Sequence, residues 1–271
     1  MKTIAIVATG GTIAGTGKKG KTAAYHAGEI DIDSIIETIP EINEVAHIKE
    51  YQLMNIDSNE MTHEKWLILK NNIEEILSDD TIDGAVVTHG TDTLDETAYF
   101  LTLTLEKKIP IVLTGAMRPA TATSADGPFN LYQAICLACH GESYNRGVLA
   151  LFSNTIYSGR DIEKVNNFKI DAFDQRSLGY MQDQEVYFYT QTSKIHTIKS
   201  RFNKRIDSIK SVAIAFYYSG ADAKILYDLA SNHEGIVIAG SGSGNYSQAW
   251  LKAIEELSEK GTIFVRSSRI S

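Results

Sequence analysis

Short apolar runs rich in valine and isoleucine alternate along this chain with segments of helical periodicity, and that alternation constrains the fold more than any other feature. The runs are Thr3–Ala8, Gly84–Thr88, Ile111–Leu113, Val148–Phe152, Val212–Phe216, Gly235–Ala239 and Thr262–Val265. Each has the length and β-branched content of a buried strand. Between them, Asp33–Thr38, Thr62–Leu77, Thr93–Leu105, Phe129–Cys139, Ala221–Ala230 and Tyr246–Glu259 carry helical patterns. Strand and helix in alternation predict an α/β fold: a mostly parallel sheet with helices on both faces. With 271 residues, of which 43% are hydrophobic, the chain can bury one large core or two modest ones.

A polar stretch from Gln191 to Lys210 holds Lys194, Lys199, Arg201, Lys204, Arg205 and Lys210 and reads as a solvated linker. It divides the chain into a larger domain over 1–190, a linker over 191–210, and a second, smaller α/β domain over 211–271.

Net charge narrows the partners. At -8, the chain repels nucleic acid and anionic membranes, so neither is expected as a partner. Every apolar run is broken well before the roughly 20 residues a bilayer span requires. The chain opens on the Thr3–Ala8 run with no charged n-region, apolar h-region or cleavage site. As written this predicts a cytoplasmic protein, or a periplasmic or secreted one if a signal has been removed. Two cysteines, Cys136 and Cys139, cannot form a disulfide framework.

Two motif matches fail on context. Gly15–Thr22 reads GTGKKGKT, the phosphate-binding G-x-x-x-x-G-K-[ST] pattern. In a phosphate-binding loop the strand runs into the first glycine and Lys-Thr opens a long helix. Here Gly10, Gly11 and Thr12 occupy the interval after the strand, and Gly28 follows soon after Thr22. A flexible loop is the better reading. Cys136–His140 reads CLACH, a haem-attachment pattern, but sits on the apolar stripe of the Phe129–Cys139 helix, where cysteines behave as small hydrophobes. No two of the seven histidines lie close enough in sequence for a helical metal pair, and no cofactor or metal is expected.

In parallel sheets, sites gather beyond the carboxyl ends of the strands. Gly10–Gly15 follows the first strand, and His89–Thr93 follows the Gly84–Thr88 strand at the start of a helix. Glycines at 10 and 11 let a ligand approach the backbone beside the Thr12 hydroxyl. The helix start beyond Thr91 and Asp92 offers free N–H groups for a carboxylate. Each segment alone has a plainer explanation, since Asp92 or Thr93 could cap the helix and Gly10–Gly15 could be a turn. Their joint occurrence at adjacent strand ends strengthens the functional reading, and hydroxyls and backbone amides can supply what hydrolysis of an amide would require: a nucleophile, a group to take its proton, and donors for an oxyanion.

ATGGTIAG at 8–15, VTHGTDT at 87–93, TGAMRP at 114–119 and SADGPFNLY at 124–132 closely resemble the bacterial L-asparaginases of the threonine-dependent, type II-like group. NIDSNEM at 55–61, NRGVL at 145–149, SGRDIEK at 158–164 and VRSSR at 265–269 extend the likeness over nearly the whole chain. The resemblance implies hydrolysis of L-asparagine to L-aspartate and ammonia, with L-glutamine a possible second substrate. It implies that Thr12 attacks the amide carbon to form an acyl-enzyme ester, with Tyr25 nearby on a mobile loop. Thr91, Lys164 and Asp92 would form a second hydroxyl, amine and carboxylate relay, and either relay could activate the first attack. Ser58 and the backbone around Thr91 and Asp92 would hold the substrate α-carboxylate, and Asp92 its α-ammonium. Asn59 stands where many relatives carry glutamine, implying a shorter or absent contact to the α-ammonium. A homotetramer of close dimers is implied as well. Relatives continue past Val265–Arg269, so the smaller domain is expected to be truncated. Other readings remain open: a glutaminase-asparaginase, an amidohydrolase of the tRNA-amidotransferase type, an amino-acid-binding protein without turnover, and a nucleotide-binding module using Gly15–Thr22.

Overall fold

A computed structural model describes residues 1–174, 176–202 and 206–270. Lys204 and Arg205 of the basic stretch lie outside the described residues. The chain divides into two compact units, Met1–Asp207 and Ser208–Ser271.

The larger unit is built on an eight-stranded sheet. We label its strands β1 (Lys2–Gly10), β2 (Ala46–Ile56), β3 (Gly84–Thr88), β4 (Ile111–Thr114), β5 (Val148–Phe152), β6 (Thr155–Ser158), β7 (Ser177–Gln182) and β8 (Glu185–Phe188). Their order across the sheet is β8-β7-β6-β5-β4-β3-β1-β2. Strands β2, β1, β3, β4 and β5 run parallel, and β6, β7 and β8 extend the sheet as an antiparallel meander. The mostly parallel sheet expected from the alternation is present.

Helices cover both faces, and β1 shows why its apolar run is continuous. Ile4, Ile6 and Ala8 point into one core with Leu131, Ile135 and Ala138 of the helix α3 (Gly127–Cys139). Ala5 and Val7 point into the opposite core with Leu69 and Ile73 of α1 (His63–Ile76) and Leu94, Ala98 and Leu101 of α2 (Leu94–Thr104). Successive side chains of a strand alternate between faces, so a strand buried on both must be apolar throughout.

Strand β2 was not apparent in the sequence. It is an edge strand whose residues alternate between half-buried and exposed, with Lys49, Glu50 and Gln52 interleaved among its apolar residues. The 191–210 stretch is in part built into the larger unit: Lys194 pairs with Asp161, Arg160 donates to the Ile195 carbonyl, and His196 and Thr197 are buried.

The smaller unit is a three-stranded parallel sheet, Val212–Phe216, Gly235–Gly240 and Ile263–Ser268, with the helices Lys224–Ala230 and Gln248–Glu259. Its core is Ala213, Ala215, Leu226, Ile236, Ile238, Trp250, Ala253 and Leu257. On the opposite sheet face Val212, Ile214, Phe216, Ile263 and Val265 are exposed.

Both rejected motifs have ordinary structures. Residues 18–24 form turns and bends, and no helix opens at Lys21–Thr22. Cys136 is a buried free thiol, its pKa pushed up to about 12 by burial, and His140 follows the helix and caps the next turn, its Nδ1 accepting the Glu142 N–H.

Candidate active site

Three loops at the carboxyl ends of β1, β2 and β3 converge, and small residues allow it. At Gly11, φ is +83°, and a Cβ there would lie 2.4 Å from both the N and Cα of Gly90. A Cβ on Gly90 would in turn lie 2.7 Å from the Cβ and Oγ of Ser58. Neither glycine has room for a side chain, so the Thr12 and Thr91 loops meet backbone to backbone and the Ser58 side chain packs directly on Gly90. The Gly11 N–H donates to the Ile56 carbonyl at 2.9 Å, tying the first loop to the end of β2.

Thr12 opens a single turn of 3-10 helix, Thr12–Ala14, and is buried. Its Oγ1 is 2.7 Å from the Tyr25 hydroxyl. Tyr25 belongs to a small ribbon in which Tyr25–His26 pairs antiparallel with Thr16–Gly17. That ribbon is fastened to the loop after β4: Gly17 N–H donates to Thr121 Oγ1, Gly20 N–H to the Thr121 carbonyl, and Ala120 N–H to the Gly15 carbonyl.

Lys164 reaches across to the β3 loop. Its Nζ donates to Thr91 Oγ1 at 2.8 Å and to Asp92 Oδ1 at 2.5 Å. The ammonium holds the Asp92 carboxyl below its ordinary value, chiefly by this hydrogen bond, against partial desolvation. Asp92 therefore stays an anion facing solvent, with more than half of its side chain exposed (55%). Asn59 Nδ2 donates to the other Asp92 oxygen at 3.3 Å and to Asp57 Oδ1 at 2.8 Å. Ser58 is buried in the turn Ser58–Glu60 beneath Gly90.

Neither Asp92 nor Thr93 caps the helix α2 through its side chain. Thr93 occupies the capping position without a side-chain cap bond and donates instead to the Ser58 carbonyl at 2.8 Å, binding the β2 and β3 loops together.

Residues that sequence reasoning passed over support this arrangement. His89 is fully buried; Trp66 Nε1–H donates to Thr97 Oγ1 at 2.8 Å, and Thr97 Oγ1 lies 3.0 Å from His89 Nε2. His89 Nδ1 is 2.7 Å from the Gly90 carbonyl. A carbonyl only accepts, so the proton sits on Nδ1, and Nε2 of the neutral ring accepts from Thr97. Burial lowers the His89 pKa to about 4, which keeps the ring in that neutral form. Asp57 is the second: its carboxylate accepts both the backbone and side-chain N–H of Asn59. An Asp two residues ahead of Asn59 is the kind of local signal that could have identified it.

Thr12 and Tyr25, Thr91, Asp92 and Lys164, and Ser58 and Asn59 are thus brought to one place. Among the described residues no group of three or more His, Cys, Asp or Glu is placed to hold a metal ion. Likewise, among them no helix is long and apolar enough to cross a membrane.

Comparison with known proteins identifies the family of the chain. The family model described as "Asparaginase, N-terminal" matches residues 3–195, and that described as "Glutaminase/Asparaginase C-terminal domain" matches residues 211–271. This chain belongs to the asparaginase family. It is 42% identical to the "Probable L-asparaginase periplasmic" of Haemophilus influenzae over 98% of this chain and 77% of that one. It is 38% identical to the "Glutaminase-asparaginase" of Pseudomonas fluorescens, over 99% of this chain and 75% of the relative. The crystal structure of a probable cytoplasmic L-asparaginase from Campylobacter jejuni superposes with a TM-score of 0.93 at 42% identity, covering 100% of this chain and 84% of that one. As an asparaginase-family chain, it carries the Thr12 and Thr91 hydroxyls and the Asp92 carboxylate just beyond the carboxyl ends of parallel strands, where α/β sheets place their sites, and the Lys164 amine reaches them from the Glu163–Lys164 ribbon.

Proposed function

We propose that this protein is an L-asparaginase, hydrolysing L-asparagine to L-aspartate and ammonia through an ester on Thr12. The observation that carries the reading is the pairing of two threonine hydroxyls with proton-transfer partners at adjoining strand ends: Thr12 with Tyr25, and Thr91 with Lys164. A hydroxyl is a weak nucleophile at its free pKa and needs such a neighbour.

In this reading Thr12 Oγ1 attacks the side-chain amide carbon and passes its proton to the paired groups. The C–N bond breaks, a proton reaches the departing nitrogen, and ammonia leaves an aspartyl ester on Thr12. Water then attacks the ester, the C–O bond to Thr12 breaks, and L-aspartate is released. Thr91, Lys164 and Asp92 relay protons between the hydroxyls and water. Ser58 and the backbone at Thr91 and Asp92 receive the α-carboxylate, and the exposed Asp92 carboxylate receives the α-ammonium. Asn59 acts on the substrate through Asp92, whose second oxygen it holds.

L-glutamine is a second candidate substrate, supported by the naming of the Pseudomonas fluorescens relative as a glutaminase-asparaginase. Ammonia release from each amide measures the preference. Acid quenching during turnover, followed by mass analysis, tests the intermediate: an aspartyl group on the Thr12 peptide supports the ester, and an aspartyl group on another residue contradicts it. We also propose a homotetramer assembled from close dimers, the arrangement the family likeness suggests. Sedimentation of a fully active monomer would overturn that part.

A further inference from the structure

Lys164 touches three residues of the segment 91–95, and only two of the contacts involve its ammonium. Nζ donates to Thr91 and Asp92, while the backbone N–H of Lys164 donates to Asp95 Oδ2 at 3.1 Å. Asp95 lies in the first turn of α2, directly after the loop that carries Thr91 and Asp92.

The rest of the Lys164 ribbon is fixed from the other side. Glu163–Lys164 pairs with Phe173–Asp174, and the Phe173 ring packs on Phe152 with centroids 4.4 Å apart. The buried Tyr157 hydroxyl donates to the Phe173 carbonyl at 2.9 Å, and Val165 N–H donates to the Ala172 carbonyl. These bonds hold the ribbon to the core of the sheet. The Asp95 bond ties the Lys164 backbone to the helix start whose loop its ammonium must reach. A lysine side chain has many rotamers, so where Nζ stands depends on where its backbone is anchored.

We infer that Asp95 is a positioning residue that holds the Lys164 backbone so that Nζ meets Thr91 and Asp92 together. The inference rests on the reading of Lys164 as a catalytic group. A plainer role is available to Asp95: a first-turn carboxylate is favourable at a helix N-terminus through its charge, and its Oδ1 also accepts the Glu96 N–H. The two roles call for different substitutes. Positioning needs an acceptor oxygen at the same reach, which Asn supplies without charge. The helix-end role needs a negative charge, which Glu supplies at a longer reach.

The experiment compares D95A, D95N, D95E and K164M in the full chain by ammonia release from L-asparagine and by thermal melting. Misplacing a reacting group by about 1 Å costs on the order of 100-fold in rate, so D95A should lose about 10- to 100-fold in kcat with KM within about threefold. D95N should stay within about threefold of the wild type, and D95E should resemble D95A. Wild-type kcat in D95A beside an inactive K164M would overturn the inference and leave the reading of Lys164 standing. Activity restored by D95E and not by D95N would assign Asp95 to the helix end and likewise overturn it. Full activity in K164M would remove the reading of Lys164 and the inference with it. Should D95A fail to fold, the D95N and D95E pair carries the same decision.

Discussion

Gly11 and Gly90 meet backbone against backbone, close enough that a Cβ on Gly11 would stand 2.4 Å from the Cα of Gly90. This contact sets the loop of Thr12 beside the loop of Thr91, and it leaves no space for a methyl group. With φ at +83° and ψ at -170°, Gly11 also occupies a region essentially confined to glycine, at a cost to an L-residue of about 1–3 kcal/mol. Overpacking adds about 1–3 kcal/mol, so Gly11→Ala should destabilise the protein by about 3 kcal/mol and abolish ammonia release. Urea unfolding and an activity assay on the same preparation measure both effects. A stable, active Gly11→Ala would show that the two loops need not touch.

The Tyr25 hydroxyl lies 2.7 Å from Thr12 Oγ1. Tyr25→Phe keeps the ring between Gly15 and Gly17, whose missing side chains make room for it, and removes only the oxygen. Loss of one such group at a reacting hydroxyl should lower kcat by roughly 100- to 1000-fold, with little change in stability. Steady-state kinetics and a thermal melt separate the two. An unchanged kcat would take Tyr25 out of the relay.

Lys164 keeps the Asp92 carboxyl titrating below its ordinary range. Lys164→Met removes the hydrogen bond and the positive charge, so the Asp92 carboxyl should titrate at higher pH in the variant than in the wild type. Carbon NMR of labelled aspartate follows it directly. A titration that does not move would mean that the ammonium and Asp92 are not paired in solution.

His89 should leave a signature in acid. Its pKa is lowered to about 4 in the fold, so between that value and the unfolded value near 6.5 the unfolded chain binds the extra proton. Stability therefore rises with pH across this window. The contribution of His89 is complete above about pH 6.5 and is lost as pH falls toward about 4, a difference of about 3 kcal/mol. His89→Asn, whose amide can still donate to the Gly90 carbonyl, should flatten that part of the stability curve. Denaturant midpoints measured from pH 4 to 7 test it, and an equal slope in both proteins would assign the acid dependence elsewhere.

The parallel half of the sheet could be read directly from the chain. Strands such as Gly84–Thr88 and Val148–Phe152 are buried on both faces and, Thr88 apart, free of polar side chains. The edge strand Ala46–Ile56 was hidden because its alternation with lysine, glutamate and glutamine resembles a polar segment. The meander of Thr155–Ser158, Ser177–Gln182 and Glu185–Phe188 was hidden because its strands are short and mix polar with apolar residues, the last having none fully buried.

The site divides in the same way. Thr12, Thr91 and Asp92 stand at strand ends and were legible from position alone. Tyr25 and Lys164 carry no local signal, because each takes its role from a contact across 13 and 73 residues of chain respectively. Only the family resemblance pointed to them. Asp95 lay within a segment read as an ordinary helix start, and its bond to the Lys164 backbone spans 69 residues.

The central claim is that the Thr12 hydroxyl attacks the amide. Ammonia release from L-asparagine, measured side by side for this chain and its Thr12→Ala variant, tests it most directly. Removal of the nucleophile should reduce kcat by about four orders of magnitude or more, to the edge of background, while the fold melts at nearly the same temperature. Equal rates in the two proteins would contradict the assignment of Thr12.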